Sequence, residues 1–369
     1  MRQSRLRSGS KWKAGYCFSC PYYNLFGDRM IQKIPRLILF FTIPVALACN
    51  LPRLNLTPPT QTPIPLTPTE MMPTPASSPT VELGLAENPL ILALPPSADA
   101  AQVDAANLIA AQFAERTGYV VVTVIPDSES ALVDAFARGN AHIALLDPYA
   151  YLLAHKQGFA KAAFALVQNE KTLYGAQFLA RSDAGFIIHF NPFSETNIIE
   201  DASVTLTQFN GKKPCWSDET SPSGYVVPLG YLNANGVVTQ PAAFVEGHPT
   251  VVRSLYASGI CDFGATYIDA RKFPSLEDQF PDLFERVIVV WRIPDIIPYE
   301  VFAFSSNMPA PMRDLFASIV PVIMQIDQGR AAFETAYGIK GLIPVNDAYY
   351  DEFRRYVEVS GVDLADLIK

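Results

Sequence analysis

The sequence predicts an α/β protein built as two lobes with a cleft between them. Three observations carry this reading. Strand and helix patterns alternate from 87 to 158, a second alternating unit spans 205–269, and strand-like segments at 174–182 and 286–306 connect the two. The 369 residues, 49% of them apolar, suffice for two ordinary domains with a large core.

The chain begins differently. Residues 1–48 carry eight Lys or Arg against one acid, Asp28, and close with an uncharged run, LILFFTIPVALA (37–48), before Cys49. Those twelve residues, at about 1.5 Å each, fall short of a hydrocarbon core of roughly 30 Å, so residues 1–48 read as a secretory signal. A start at Met30 would give a signal of ordinary length, and Cys17 and Cys20 would then carry no meaning. Ala48-Cys49 resembles the lipobox of bacterial lipoproteins, with Ala46 where that family has Leu. The resemblance implies an extracytoplasmic protein held to the cell membrane by a lipidated Cys49.

From Cys49 to residue 86 the chain reads as a disordered linker. Residues 50–80 hold nine prolines and seven threonines with almost no charge, which favours extended polyproline II and cannot supply a core. Beyond residue 48 there are 20 basic and 35 acidic side chains. Such an acidic body excludes nucleic acid as a partner, because phosphates need a basic footprint. A local site for a small anion stays compatible with it. Cys215 and Cys261 are the two cysteines of the folded part, and outside the cytoplasm they either pair or stay as buried thiols.

Each element has its local reason. ENPLILALPP (87–96) is an apolar run between prolines, hence a buried strand. AQVDAANLIAAQFAERTG (101–118) spaces Val103, Ala106, Ile109, Ala110 and Phe113 helically and stops at Gly118. YVVVTVI (119–125) is a β-branched strand, SESALVDAFARG (128–139) a capped helix, HIALLD (142–147) a strand and PYAYLLAHKQG (148–158) a helix opened by proline. KAAFALVQ (161–168) and YGAQFLARS (174–182) are strand-like. TLTQFNGKKPCW (205–216) gives a short helix, a turn and a strand. AAFVEGH (242–248), CDFGATYID (261–269), RVIVVWRIP (286–294) and YEVFAFSS (299–306) are strands, the last two joined by a Pro-rich link. PTVVRSLYASG (249–259) and the segments after 308 are helical. The first lobe is then 87–180 with 295–369, and the second 181–294.

WSDETSPSGYVVPLGYL (216–232) holds the strongest chemical signal. A helix start offers unpaired N–H groups and a partial positive charge, which suit an oxyanion. Ser221 and Ser223 add hydroxyl donors, and Gly224 lets backbone approach a ligand. The same residues also make an ordinary start, with Ser221 as N-cap and Pro222 at the first helical position. Tyr225 completes the turn.

The fragments in order resemble the PhnD-like phosphate, phosphite and phosphonate-binding proteins of bacterial ABC importers. The resemblance rests on IALLDPYAYLLA (143–154), YGAQFLARSD (174–183), FNGKKPCWSDETSPSGYVVPLGYL (209–232), FVEGHPTVVRSLYASGICDFGATYID (244–269) and YGIKGLIPVNDAYYDEFRRY (337–356). It implies a periplasmic-binding-protein type 2 fold that closes over a small oxyanion and delivers it to an ABC permease. The turn at 221–225 would hold the oxyanion. His248 matches a histidine that can pair with a dianion, and Asp269 an acid that can meet an amino group on the ligand. Pro222 departs from the family's Thr. The family's first-lobe aromatics fall near Glu129 and Leu146, beside Asp147; neither side chain stacks on a ligand, and an ionised Glu129 would repel a phosphonate. Tyr149 or Tyr151 is a substitute, and Tyr267 a further lining residue.

The expected partners are therefore the oxyanion, the permease and the membrane, for a monomer that needs no cofactor and performs no chemistry. His142, His155, His189 and His248 lack metal-ligand spacing. A hydrolase using Ser223, His248 and Asp269 is the weaker alternative, without a GxSxG elbow. The same fold serving as a sensor is another.

Overall fold

A computed structural model describes residues 81–368. The signal (1–48), Met30, Cys49 and the linker up to residue 80 lie outside the described residues.

The first half of the folded chain runs β1 (Leu90–Ala93), α1 (Ala100–Thr117), β2 (Val121–Val124), α2 (Glu129–Arg138), β3 (Ile143–Leu146), α3 (Pro148–Lys156), β4 (Ala160–Leu166), β5 (Leu173–Arg181), β6 (Phe190–Asn191) and β7 (Thr196–Asn197). There follow α4 (Ala202–Thr205), β8 (Pro214–Trp216), α5 (Val227–Ala234), β9 (Ala243–Phe244), α6 (His248–Ala257) and β10 (Phe263–Tyr267). The rest comprises α7 (Pro274–Gln279), α8 (Leu283–Arg286), β11 (Val287–Pro298), β12 (Val301–Ser305), α9 (Ala310–Met324), α10 (Asp327–Tyr337), β13 (Leu342–Pro344), α11 (Asp351–Ser360) and α12 (Leu364–Leu367).

Local sequence sets the first elements. Asp99 and Gln102 form a capping box on α1, and Gly118 ends it in the left-handed conformation that glycine adopts without a Cβ penalty. Ser128 caps α2 and Asp147 caps α3, with Pro148 in the first turn.

Two mixed sheets result. The first has the order β13-β4-β12-β3-β1-β2, with β1, β2 and β3 parallel and the other three strands antiparallel to their neighbours. The second has the order β11-β5-β10-β8-β9, with β8, β9 and β10 parallel and β5 and β11 antiparallel. One apolar cluster joins β1, β3 and β12 to α1, α9 and α10, through Ile109, Phe113, Phe302, Phe316 and Phe333. A second runs from Phe136 and Tyr151 across to Phe178, Phe209, Trp216 and Phe353. Cys215 in β8 is disulfide-bonded to Cys261 just before β10, so two parallel strands of the second sheet are tied together.

The expected boundaries shift. Folded structure begins before 86, because the Val120 N–H donates to the Gly84 carbonyl at 2.7 Å and Leu83 packs on the first core. β5, placed in the first lobe by the sequence, pairs along its length with β10 and β11 and belongs to the second sheet. β11 runs on through Pro294 to Pro298, leaving only Tyr299 and Glu300 as the return link. The C-terminal segment also departs from the first lobe. α11 docks on α5, with the Tyr231 and Tyr356 rings stacked at 3.8 Å and Asn233 Nδ2 donating to the Val359 and Ser360 carbonyls. Gly230 permits this approach, since a Cβ there would lie 2.1 Å from the Tyr356 carbonyl oxygen. The chain then returns to pack Leu364 and Leu367 into the cluster that contains α3.

Candidate ligand-binding cleft

Open α/β sheets bind ligands beyond the carboxyl ends of their parallel strands. Here the loop after β8 (217–221), the end of β10 (Tyr267) and the end of β3 (Asp147) supply the candidate residues.

On the second lobe, Pro222–Val226 forms one π turn that runs into α5. Both the Tyr225 and Val226 N–H groups donate to the Ser221 carbonyl, which widens the first turn. The Ser221 hydroxyl oxygen accepts the Gly224 N–H at 3.0 Å and lies 3.4 Å from His248 Nε2. His248 Nδ1 accepts the Tyr267 N–H at 3.4 Å, so the ring proton sits on Nε2 and is donated to Ser221. With both acceptor positions of Ser221 Oγ occupied, its own hydrogen is left to donate outward. Burial holds His248 down at about 4, so the ring is neutral at pH 7. Ser223, 3% exposed, lies beside the Tyr174 phenol on β5.

Gly224 is glycine for a reason other than ligand approach. A Cβ there would lie 1.9 Å from Ser217 Oγ and 2.9 Å from His248 Cε1. The residue lets the turn press against the two groups behind it.

The first lobe presents acids. Glu129 opens α2 and Asp147 caps α3 through the Tyr149 and Ala150 N–H groups. Burial first, then the charge of Asp147 and that of Glu300, pushes Glu129 up to about 7. Burial also raises Asp147, against the two N–H groups that it accepts. Glu129 Oε2 and the Tyr149 hydroxyl are buried without a partner. Glu129, Asp147, Tyr149, Thr220, Pro222, Leu367 and Ile368 line a cavity of about 210 Å³ between the two faces. A larger cavity of about 520 Å³ lies on the other side of Tyr174. Of its cations, Lys171 pairs with Asp295 at 2.6 Å, while Arg292 reaches Glu195 at 3.7 Å and leaves its buried Nε without a partner. The smaller cavity is the one that adjoins the Ser221 turn, through Thr220 and Pro222.

The sequence pattern of one family, described as the periplasmic substrate-binding protein of a phosphonate ABC transporter, matches residues 92–350. The chain belongs to this family. The "Phosphate-import protein PhnD" of Mycolicibacterium smegmatis is 27% identical over 271 residues, covering 67% of this chain and 78% of the relative. The solved structure of XAC2383 from Xanthomonas citri bound to ATP has 15% identity and a TM-score of 0.53, covering 76% of this chain and 99% of that one. Its chloride-bound form gives the same identity and score over 75% and 98%. These structures share the two-lobed fold. The chain is thus a phosphonate-family substrate-binding protein of an ABC importer, extracytoplasmic by class, and no described helix is long and apolar enough to cross a membrane.

Within this family member the candidate residues separate. Ser221, Gly224 and His248 come together, and the adjacent Thr220 and Pro222 share a cavity with Glu129 and Asp147. Leu146 is wholly buried in β3, in the apolar cluster. Tyr225 packs between Trp216 and Phe244 and does not line the cavity. Asp269 is 3% exposed, and both of its oxygens are taken by Arg271, at 2.6 Å on the closest contact, with Gln177 adding 2.8 Å. Burial pushes this carboxyl up, but the Arg271 and Gln177 contacts outweigh it and hold it below the usual range. The hydrolase triad does not assemble, because His248 reaches Ser221 rather than Ser223 and Asp269 turns to Arg271. Tyr149 lines the cavity, whereas Tyr151 gives its hydroxyl to Asp347. The sequence missed Thr220, which stands within the motif itself, and also Tyr174, Glu300 and the C-terminal pair Leu367 and Ile368, which are remote from the motif and brought in by the fold. Among the described residues no His, Cys, Asp and Glu cluster is placed to hold a metal.

Proposed function

We propose that this chain binds a small phosphorus oxyanion between its lobes and presents it to the permease, without turnover. The oxyanion sits at the Ser221 turn. One observation carries this: Ser221 Oγ already accepts from Gly224 and His248, so its hydrogen is available only to a ligand. Neutral His248 acts as the group that orients Ser221, and Ser223 supplies a further hydroxyl. Closure of the lobes brings Tyr149, and Glu129 in its protonated form, against the same ligand and makes the closed state the bound one. The lipobox-like Ala48-Cys49 and the Pro/Thr-rich stalk support a monomer tethered to the membrane by a lipidated Cys49.

Thermal unfolding of the full chain with methylphosphonate, phosphite, phosphate and sulfate tests the site. A ligand at a hundred times its dissociation constant adds about 2.7 kcal/mol and raises the midpoint by several degrees. An increase with a phosphorus oxyanion that is lost in Ser221→Ala supports the reading. No increase with any oxyanion overturns it. Hydrolysis of phosphate esters by the purified chain would sink the claim of no turnover.

A further inference from the structure

We propose that the large cavity beyond Tyr174 takes a polyhydroxylated substituent, so that the ligand is a phosphorus oxyanion carrying a hydroxyl-bearing carbon chain. The inference rests on the oxyanion reading above and extends it to substrate class.

Position comes first. The cavity of about 520 Å³ falls in the range of pockets that enclose organic ligands, roughly 300–1,000 Å³. An inorganic oxyanion leaves most of such a space to water. Two lining residues join it to the Ser221 turn. Tyr174 has its phenol beside Ser223, and Ile268 follows Tyr267, whose N–H donates to His248. A substituent that leaves the turn past Tyr174 enters this space.

The lining decides the chemistry. Two cations, Lys171 and Arg292, stand among three acids, Glu195, Glu200 and Asp295. A cationic substituent would meet the guanidinium and an anionic one the carboxylates, so neither sign of charge suits the whole. A hydroxyl both donates and accepts, which matches a lining of mixed sign. Lys171 is closed by Asp295, but Arg292 is short of acceptors. Asn197 clamps its backbone N–H and carbonyl, its side chain is 13% exposed, and its Nε has no partner. Arg292 Nη1 donates to the Glu195 carbonyl at 3.4 Å and comes only to 3.7 Å from the Glu195 carboxylate, too far for a hydrogen bond. A ligand hydroxyl placed between the two side chains accepts from the guanidinium and donates to the carboxylate. The stacked rings of Tyr174 and Tyr299, 5.1 Å apart, provide an apolar wall for the carbon skeleton.

The test is calorimetric titration of the full chain with methylphosphonate, propyl phosphate and glycerol 3-phosphate, the last two equal in length and charge and different in hydroxyls. The expected result is that glycerol 3-phosphate binds about ten times more tightly than propyl phosphate, the worth of one or two hydrogen bonds. Arg292→Met, which keeps the length of the side chain, should abolish this preference and leave methylphosphonate affinity unchanged. Glu195→Ala, at an exposed position, provides the second variant and should reduce the same preference. Equal affinity for the two phosphate esters overturns the polyol pocket and leaves the Ser221 cradle standing, as does binding of methylphosphonate alone. A preference that survives both variants overturns its placement in this cavity. No binding of any probe overturns the pocket and the cradle together.

Discussion

His248 donates from Nε2 to Ser221 Oγ across 3.4 Å, and Gly224 donates to the same oxygen at 3.0 Å. The pair converts a helix cap into an oriented donor, because the hydroxyl hydrogen has nowhere to go except outward. A hydrogen bond to a charged partner contributes about 1.5–3 kcal/mol. Ser221→Ala should therefore weaken oxyanion binding about 10- to 100-fold, and loss of the cap should cost about 1 kcal/mol of stability. Ser221→Thr keeps the hydroxyl and should retain most of both. Titration calorimetry and urea unfolding separate the two effects; wild-type affinity in the alanine variant would remove Ser221 from the ligand.

The glycine behind this pair is a packing requirement. Gly224→Ala puts a methyl group 1.9 Å from Ser217 Oγ and 2.9 Å from His248 Cε1, and overpacking of this kind costs about 1–3 kcal/mol. Removing the obstructing hydroxymethyl with Ser217→Gly should restore most of that loss. Urea midpoints of the single and double variants give the answer, and a double variant no more stable than Gly224→Ala would place the strain elsewhere.

Much of the frame was legible because local signals agreed with the fold. The β1-α1-β2-α2-β3-α3 unit announces itself through caps at Asp99, Ser128 and Asp147 and stops at Gly118 and Gly139. The link after residue 294 was misjudged because proline breaks most strands. β11 tolerates Pro294 and Pro298, and β13 tolerates Pro344, because both are edge strands with no partner on one side. The two-residue strands β6 and β7 carry no pattern at all. At the site, Ser221 and Ser223 are visible in one motif, while Tyr174 and Glu300 reach it only through tertiary structure. Asp269 had a local warning: Arg271, two residues on, neutralises it.

Acid should weaken the fold through two histidines. His142, 3% exposed and accepting the Ile91 N–H on Nδ1, is held near 4 by burial, as is the less enclosed His248. An unfolded histidine titrates near 6.5, so between about 4 and 6.5 the unfolded chain binds the extra proton. The stability from these groups is complete above about 6.5 and disappears as pH falls through about 4. Each shift corresponds to at most on the order of 3 kcal/mol, with less at His248 where water screens it. His142→Gln should flatten the acid limb of a stability–pH curve measured by urea unfolding; an unchanged limb would mean that His142 is not neutral in the native state.

Glu129 should act in the opposite direction. Its carboxyl is raised from 4.5 to about 7 by burial and by the charges of Asp147 and Glu300. Between those values the native chain keeps a proton that the unfolded chain has lost, so stability falls as pH rises through this window. Glu129→Gln stays neutral throughout and leaves Ser128 in place as the helix cap. The variant should match the wild type below about pH 4.5 and exceed it above pH 7 by on the order of 1–3 kcal/mol, the size of a shift of this kind after allowance for partial solvent access. Urea unfolding at pH 4.5, 6 and 8 measures the gap. A gap that is constant with pH would show that Glu129 titrates normally and that the first-lobe face is less crowded with charge than its geometry indicates.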